Sequence, residues 1–247
     1  MVATASGDEA IIARLASKLR AGSLTLPQKY RILCSLRNCS NASATGALLL
    51  ALQDGSALFR HDVAFALGQR QDADAVEALK RLLQDDAELG MVRHEAAEAL
   101  GAIGTASCLQ PVKACETCTV REVAETCVLA SQRMAFFAQQ EDGQTADESR
   151  FQSVDPTPAF PSSMPAAELH STLNDESAQM FDRYRALFAL RNQGGTEAVQ
   201  AMAQCLRHSG SALLKHEVAY VLGQMLDKDA VACLKECLQV QRLACDD

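Results

Sequence analysis

Arg60-His61-Asp62-Val63-Ala64-Phe65-Ala66-Leu67-Gly68 is the stretch that decides the fold. A basic residue, a histidine and a carboxylate lead into an apolar helix that ends in Leu-Gly. The phrase returns as Arg93-His94-Glu95 running to Leu100-Gly101, and as Lys215-His216-Glu217 running to Leu222-Gly223. The first two copies lie 33 residues apart, and the third lies 155 residues after the first. Outward from the first copy, Ala75, Val76, Leu79, Leu82 and Leu83 form a second helical stripe. Asp72 and Asp74 stand between the two stripes, where an N-cap belongs. The unit is two short helices joined by a tight turn, and its 33-residue spacing is the period of an α-solenoid.

The repeats form two halves. Tyr30-Arg31-Ile32-Leu33 and Ser35-Leu36-Arg37-Asn38 recur as Tyr184-Arg185-Ala186-Leu187 and Ala189-Leu190-Arg191-Asn192. Phe65-Ala66-Leu67-Gly68-Gln69 recurs as Tyr220-Val221-Leu222-Gly223-Gln224. Between the halves, residues 139–167 hold four of the six prolines, Pro156, Pro158, Pro161 and Pro165. Proline removes backbone donors and stops helices, so this stretch is expected to be a linker that lets the second half turn back to face the first. The expected organisation is an N-terminal half over 1–138, the linker over 139–167 and a C-terminal half over 168–247.

Composition narrows the function. The chain is 48% hydrophobic but only 4% aromatic, which suits closely packed helices. No apolar run approaches the roughly 20 residues that cross a bilayer, and the first eight residues lack the basic and apolar regions of a signal peptide. A soluble cytoplasmic protein without a membrane partner is expected. The net charge of −8 argues against nucleic acid and favours a cationic partner. Ten cysteines are scattered through helical patterns, so reduced thiols are expected rather than disulfides. Cys115-Glu116-Thr117-Cys118 has no second pair at zinc-ribbon spacing.

Gly55, Gly90 and Gly210 precede the histidines by four to six residues, placing the pairs in the first turns of their helices. There the helix dipole favours a carboxylate and disfavours a protonated imidazole, which are the states a metal ligand needs. One His-carboxylate pair on a solvated helix is ordinary surface, and the adjacent Arg60, Arg93 and Lys215 could pair with those carboxylates. Three pairs at one position of a repeat are not ordinary, because solenoid repeats keep their cores and let their surfaces drift. Ala64, Ala97, Ala219, Leu67, Leu100 and Leu222 recur too, but packing alone explains them. Mixed N/O ligands suit iron, manganese or zinc. His94-Glu95-Ala96-Ala97-Glu98 has glutamate where a zinc-peptidase HExxH has its second histidine. His170 and His208 match no copy and are expected at the surface.

The three phrases, the Tyr-Arg-x-Leu-x-x-Leu-Arg-Asn openings and Ser153-Val154-Asp155-Pro156 together resemble the deoxyhypusine hydroxylase family, over about residues 26–239. That resemblance implies an all-α fold: an α-solenoid of HEAT-like helical-hairpin repeats in two pseudo-symmetric halves. It implies an iron-dependent monooxygenase with two ferrous ions and O2 as co-substrate. The substrate would be the deoxyhypusine side chain of eukaryotic translation initiation factor 5A, converted to hypusine. By resemblance His61, His94, Glu95 and His216 are iron ligands. Asp62 and Glu217 either complete the metal site or hold the substrate's cationic amines, which the acidic balance suits.

Two features depart from the family pattern. Asp62 replaces a glutamate, and the fourth pair, due near position 249, falls past Asp247. Leu83-Gln84 aligns with Leu238-Gln239, but Val240 to Asp247 do not resemble Asp85 to Glu95. The sequence therefore reads as a truncated or alternatively spliced product, or equally as a mis-predicted gene end, with impaired or absent di-iron hydroxylation expected. The competing readings are a non-catalytic HEAT-repeat adaptor that binds a protein partner, and a relative of the HEAT-like phycobilin lyases. The linker and the Tyr-Arg openings speak against the latter.

Overall fold

The computed structural model describes residues 2–140 and 149–244, with side chains described over 8–140 and 149–239. Residues 141–148, in the first half of the expected linker, and the side chains of the divergent tail lie outside these ranges. The described chain is all-α and folds as a HEAT-type solenoid, in two compact units, Met1–Ala138 and Gln139–Asp247.

Unit 1 runs α1 (Val2–Arg20), α2 (Leu26–Arg37), α3 (Ser43–Ala51), α4 (Ala57–Arg70), a short 3-10 turn (Ala73–Ala75), α5 (Val76–Gln84), α6 (Gly90–Ile103), α7 (Ala106–Ala114) and α8 (Arg121–Ala138). Alternate helices form two layers. Helices α2, α4, α6 and α8 stack side by side in one, and α1, α3, α5 and α7 back them in the other. Phe59, Val63, Leu67, Leu79, Leu83, Leu100 and Val123 fill the space between the layers, all fully buried. Each such side chain contributes roughly 1.5–3 kcal/mol by leaving water.

The Leu-Gly dipeptides are not helix ends, contrary to the sequence reading. Helix α4 continues past Gly68 to Arg70 and α6 past Gly101 to Ile103. The chain turns only at the left-handed residues Gln71 (φ 53°) and Gly104 (φ 67°). The glycines serve packing. A Cβ on Gly68 would lie 2.8 Å from the Ala99 Cα, and one on Gly101 would lie 2.7 Å from the Ala130 Cβ. Glycine lets α4, α6 and α8 approach closely at these crossings. Gly223 has nothing within 4 Å of the same position.

Unit 2 holds α9 (Ala166–Asn174), α10 (Met180–Gln193), α11 (Gly195–His208), α12 (Ala212–Met225) and α13 (Ala230–Ala244). Here too the helix outlasts its Leu-Gly, ending at Met225 before the left-handed Leu226 (φ 52°). Helix α10 lies beside α12, with α9, α11 and α13 behind them. The proline-rich residues 149–165 form no regular helix and lie along α10. The Phe160 backbone N–H donates to the Arg185 carbonyl (3.3 Å), and the Arg185 guanidinium covers the Phe160 ring at 4.1 Å. Arg191, completely buried, forks onto both Asp155 oxygens at 2.9 and 2.6 Å and reaches Gln224 of α12 at 2.9 Å.

Candidate metal centre

Each histidine of the repeated phrase is the fifth residue of its helix: His61 in α4, His94 in α6, His216 in α12. The pairs therefore lie in the second turn, not the first as the turn glycines suggested. Gly90 is itself the first residue of α6. The local cause is visible at α4 and α12, where Ser56 and Ser211 cap the helix by accepting from the N–H three residues on, at 3.3 and 3.2 Å. The fifth position of α2 is Tyr30 and that of α8 is Glu125. One row along the stack thus reads Tyr30, His61, His94, Glu125.

In unit 1 the basic residue before each histidine is engaged away from the adjacent carboxylate. Arg60 forks onto Glu88 at 2.7 and 2.6 Å and donates to the Asp54 carbonyl (2.7 Å). Arg93 donates to the Leu83 carbonyl (2.9 Å) and meets Asp86 at 3.0 Å. In the row position before Tyr30, Lys29 meets Asp54 at 2.5 Å. These cations tie each helix to a turn between hairpins. Asp62 and Glu95 both face His61.

In unit 1 the pairs converge. His61 Nδ1 lies 2.7 Å from Asp62 Oδ1, and His61 Nε2 lies 3.1 Å from Glu95 Oε2. The His61 and His94 rings stand edge to face, with centroids 5.4 Å apart. His61, His94 and Glu95 each bring a ligand atom within 4.8 Å of the other two. All three are almost wholly buried, whereas the Asp62 side chain keeps 32% of its surface. Two imidazoles and a carboxylate shielded from water make a donor set that fits a borderline divalent metal such as ferrous iron. Asp62 and Glu95 face the two ring nitrogens of His61. Among the described residues this is the one such trio.

The neutral imidazole expected from the sequence is the state of a metal ligand; without metal His61 favours its protonated form. Burial opposes the charge, but hydrogen bonds and the charges of Asp62 and Glu95 outweigh it and raise the imidazole to about 10. The helix dipole fades beyond the first turn, so it does not decide the matter. A metal cation arriving at Nε2 would displace that proton. Because the folded metal-free protein holds the proton more tightly than the unfolded chain, this stabilisation is full below about 6.5 and disappears as pH rises to about 10. The melting temperature of metal-free protein should fall across that window, and His61→Gln should flatten the fall. A profile identical in both proteins would contradict the assignment.

Tyr30 was not singled out as a site residue from sequence. Its hydroxyl donates to Asp62, and burial together with that carboxylate raises its pKa well above the ordinary tyrosine range. The signal was the shared fifth position, visible only once the helix starts were known. In unit 2, Glu217 is buried and His216 exposed. His208 is exposed, as expected, and half-buried His170 is hydrogen-bonded to Gln204 at 3.0 Å. The nine described cysteines are all free thiols. No described helix is long and apolar enough to cross a membrane.

Residues 45–131 match the family described as HEAT repeats, and residues 182–208 match the PBS lyase HEAT-like repeat. The chain is 46% identical to the deoxyhypusine hydroxylase of Gallus gallus over 214 residues, 87% of this chain and 70% of that protein. It is 45% identical to that of Arabidopsis thaliana over 229 residues, 91% of this chain and 73% of that one. The solved structure of human deoxyhypusine hydroxylase in complex with glycerol superposes with a TM-score of 0.89 at 40% identity, covering 94% of this chain and 80% of that one. A repeated His-carboxylate phrase, its convergence in a HEAT stack and relatives matched across most of their length lead to one statement: this chain belongs to the deoxyhypusine hydroxylase family.

Proposed function

We propose that the chain is an iron-dependent monooxygenase that uses O2 to hydroxylate the deoxyhypusine residue of eukaryotic translation initiation factor 5A. The observation that carries this reading is the buried trio His61, His94 and Glu95, drawn from two successive repeats. His61 Nε2, the His94 imidazole and the Glu95 carboxylate would hold ferrous iron, with His216 and Glu217 as a further ligand pair in unit 2. Bound iron supplies what no side chain can, the activation of O2 toward an unactivated C–H bond.

The chain's own residues do the rest. Glu95 provides the negative charge that offsets a buried dication, and Arg60, locked onto Glu88, fixes α4 against the turn leading into α6. Asp62 accepts from His61 Nδ1, and its solvent-facing surface offers a carboxylate to the cationic amines of the substrate. Glu217 is the corresponding carboxylate of the third phrase and is proposed for the same choice of roles.

The test is anaerobic loading with ferrous iron, followed by O2 and factor 5A carrying deoxyhypusine. Bound iron and the mass gain of one oxygen atom on the modified side chain are expected. Protein that takes up no iron and leaves the substrate mass unchanged would overturn the proposal and leave a HEAT-type adaptor.

A further inference from the structure

Tyr30 sits one repeat before His61 in the row of fifth positions, and its ring edge packs on fully buried Phe59 (centroids 5.5 Å apart, planes at 79°). That contact fixes the ring and aims the hydroxyl along the stack. The hydroxyl donates to Asp62. Asp62 in turn lies 2.7 Å from His61 Nδ1, and the other ring nitrogen of His61 faces Glu95 at 3.1 Å. The result is one continuous chain of contacts across three helices, from α2 through α4 to α6.

The Asp62 side chain keeps 32% of its surface, and a short carboxylate at a helix surface swings between rotamers and exchanges partners with water. A second donor anchored on a rigid ring removes that freedom. An orienting carboxylate fixes which imidazole nitrogen keeps its hydrogen and where the other one points.

We infer that Tyr30 is a positioning residue for the ligand His61: through Asp62 it holds the imidazole with Nε2 turned toward His94 and Glu95. The inference rests on the reading that this trio binds ferrous iron. It assigns a role in the centre to a helix that carries no histidine, and it explains why a tyrosine stands where the next two repeats have histidine. It also gives Asp62 a structural duty at one oxygen beside any contact it makes with substrate.

A double-mutant cycle on Fe(II) affinity tests it, measured by anaerobic titration of the full chain. Tyr30→Phe keeps the ring on Phe59 and removes only the hydroxyl. It should weaken Fe(II) binding about 10-fold, the lower end of what an outer orienting partner contributes. Asp62→Asn should weaken it by about 10–100-fold. Because Tyr30 acts through Asp62, the double variant should bind no more weakly than Asp62→Asn alone. Independent, additive losses would overturn the inference, as would a Tyr30→Phe protein that binds like the parent. Thermal melting of the metal-free proteins separates folding from binding. A Tyr30→Phe chain that fails to fold would show a general structural role and also refute the proposal. The parent's own titration stands apart from all of these: a parent that binds no Fe(II), or binds it equally well as Glu95→Gln, removes the metal reading itself.

Discussion

Glu95→Gln is expected to empty the centre, lowering Fe(II) affinity by more than about 100-fold, beyond the 10–100-fold typical of an outer orienting partner. The substitution preserves volume and length, so packing in α6 is undisturbed. What it removes is the only buried carboxylate of the trio, 3.1 Å from His61 Nε2. A dication in a buried site needs a negative ligand, because moving charge out of water without compensation costs several kcal/mol. Hydroxylation of the proposed factor 5A substrate should disappear with the iron. Metal analysis of purified protein, run beside the hydroxylation assay, reads both effects. His170→Ala is the matched control: that imidazole bonds only to Gln204 among the contacts described above, and its loss should leave the iron in place. A Glu95→Gln protein that keeps its iron would show that the trio is a charge network and not a metal site.

The largest effect on stability should come from Arg191→Met. Arg191 is wholly buried, its guanidinium covering both Phe151 and Phe188 at 4.5 and 4.9 Å while it holds Asp155, Ser153 and Gln224. Methionine replaces the apolar stem but none of these bonds. Breaking a buried ion pair from one side typically costs about 3–5 kcal/mol. Asp155 retains some contact with solvent, so the lower end, about 3 kcal/mol, is expected. Urea unfolding of the parent and variant measures it, and a loss below about 1 kcal/mol would mean that the segment over 149–165 is held by its apolar contacts alone. The counterpart from the first half, Arg37, is exposed, and its side chain bonds only to neighbouring Asn38 among its described hydrogen bonds. Identical letters thus bear very different loads, and the covering Ser153–Asp155 segment makes the difference.

The repeat fold was plain in the sequence because period and phrase agreed. His61, His94 and Glu95 were legible for the same reason: three copies at one position outlast surface drift. Other features depended on distances that no single strand of letters carries. The Leu-Gly dipeptide looked like a helix end because glycine commonly ends helices, but at Gly68 and Gly101 the missing Cβ admits a neighbouring helix. At His61 the sequence offered the dipole of its own helix; the Glu95 carboxylate of the next helix, which favours the metal-free imidazolium, is brought there by the fold. Arg60 and Arg93 seemed available to the adjacent carboxylates, yet helical geometry sends successive side chains in different directions, here to Glu88 and Asp86. Tyr30 stayed hidden because its chemistry differs from histidine while its position does not.

Gly68 lies seven residues after His61, two turns along the same side of α4. A methyl group there would press on the Ala99 backbone, and the direct relief is a wider gap between α4 and α6. That gap is the one His61 Nε2 spans to Glu95. Metal–ligand distances hold to within about 0.2 Å, so a wedge several times larger at one end of the crossing acts on the centre as a lever. A mid-helix glycine forfeits about 1 kcal/mol of helix propensity. In α4 that sacrifice works as a gauge: a residue with no side chain sets the aperture that the proposed centre requires between two helices.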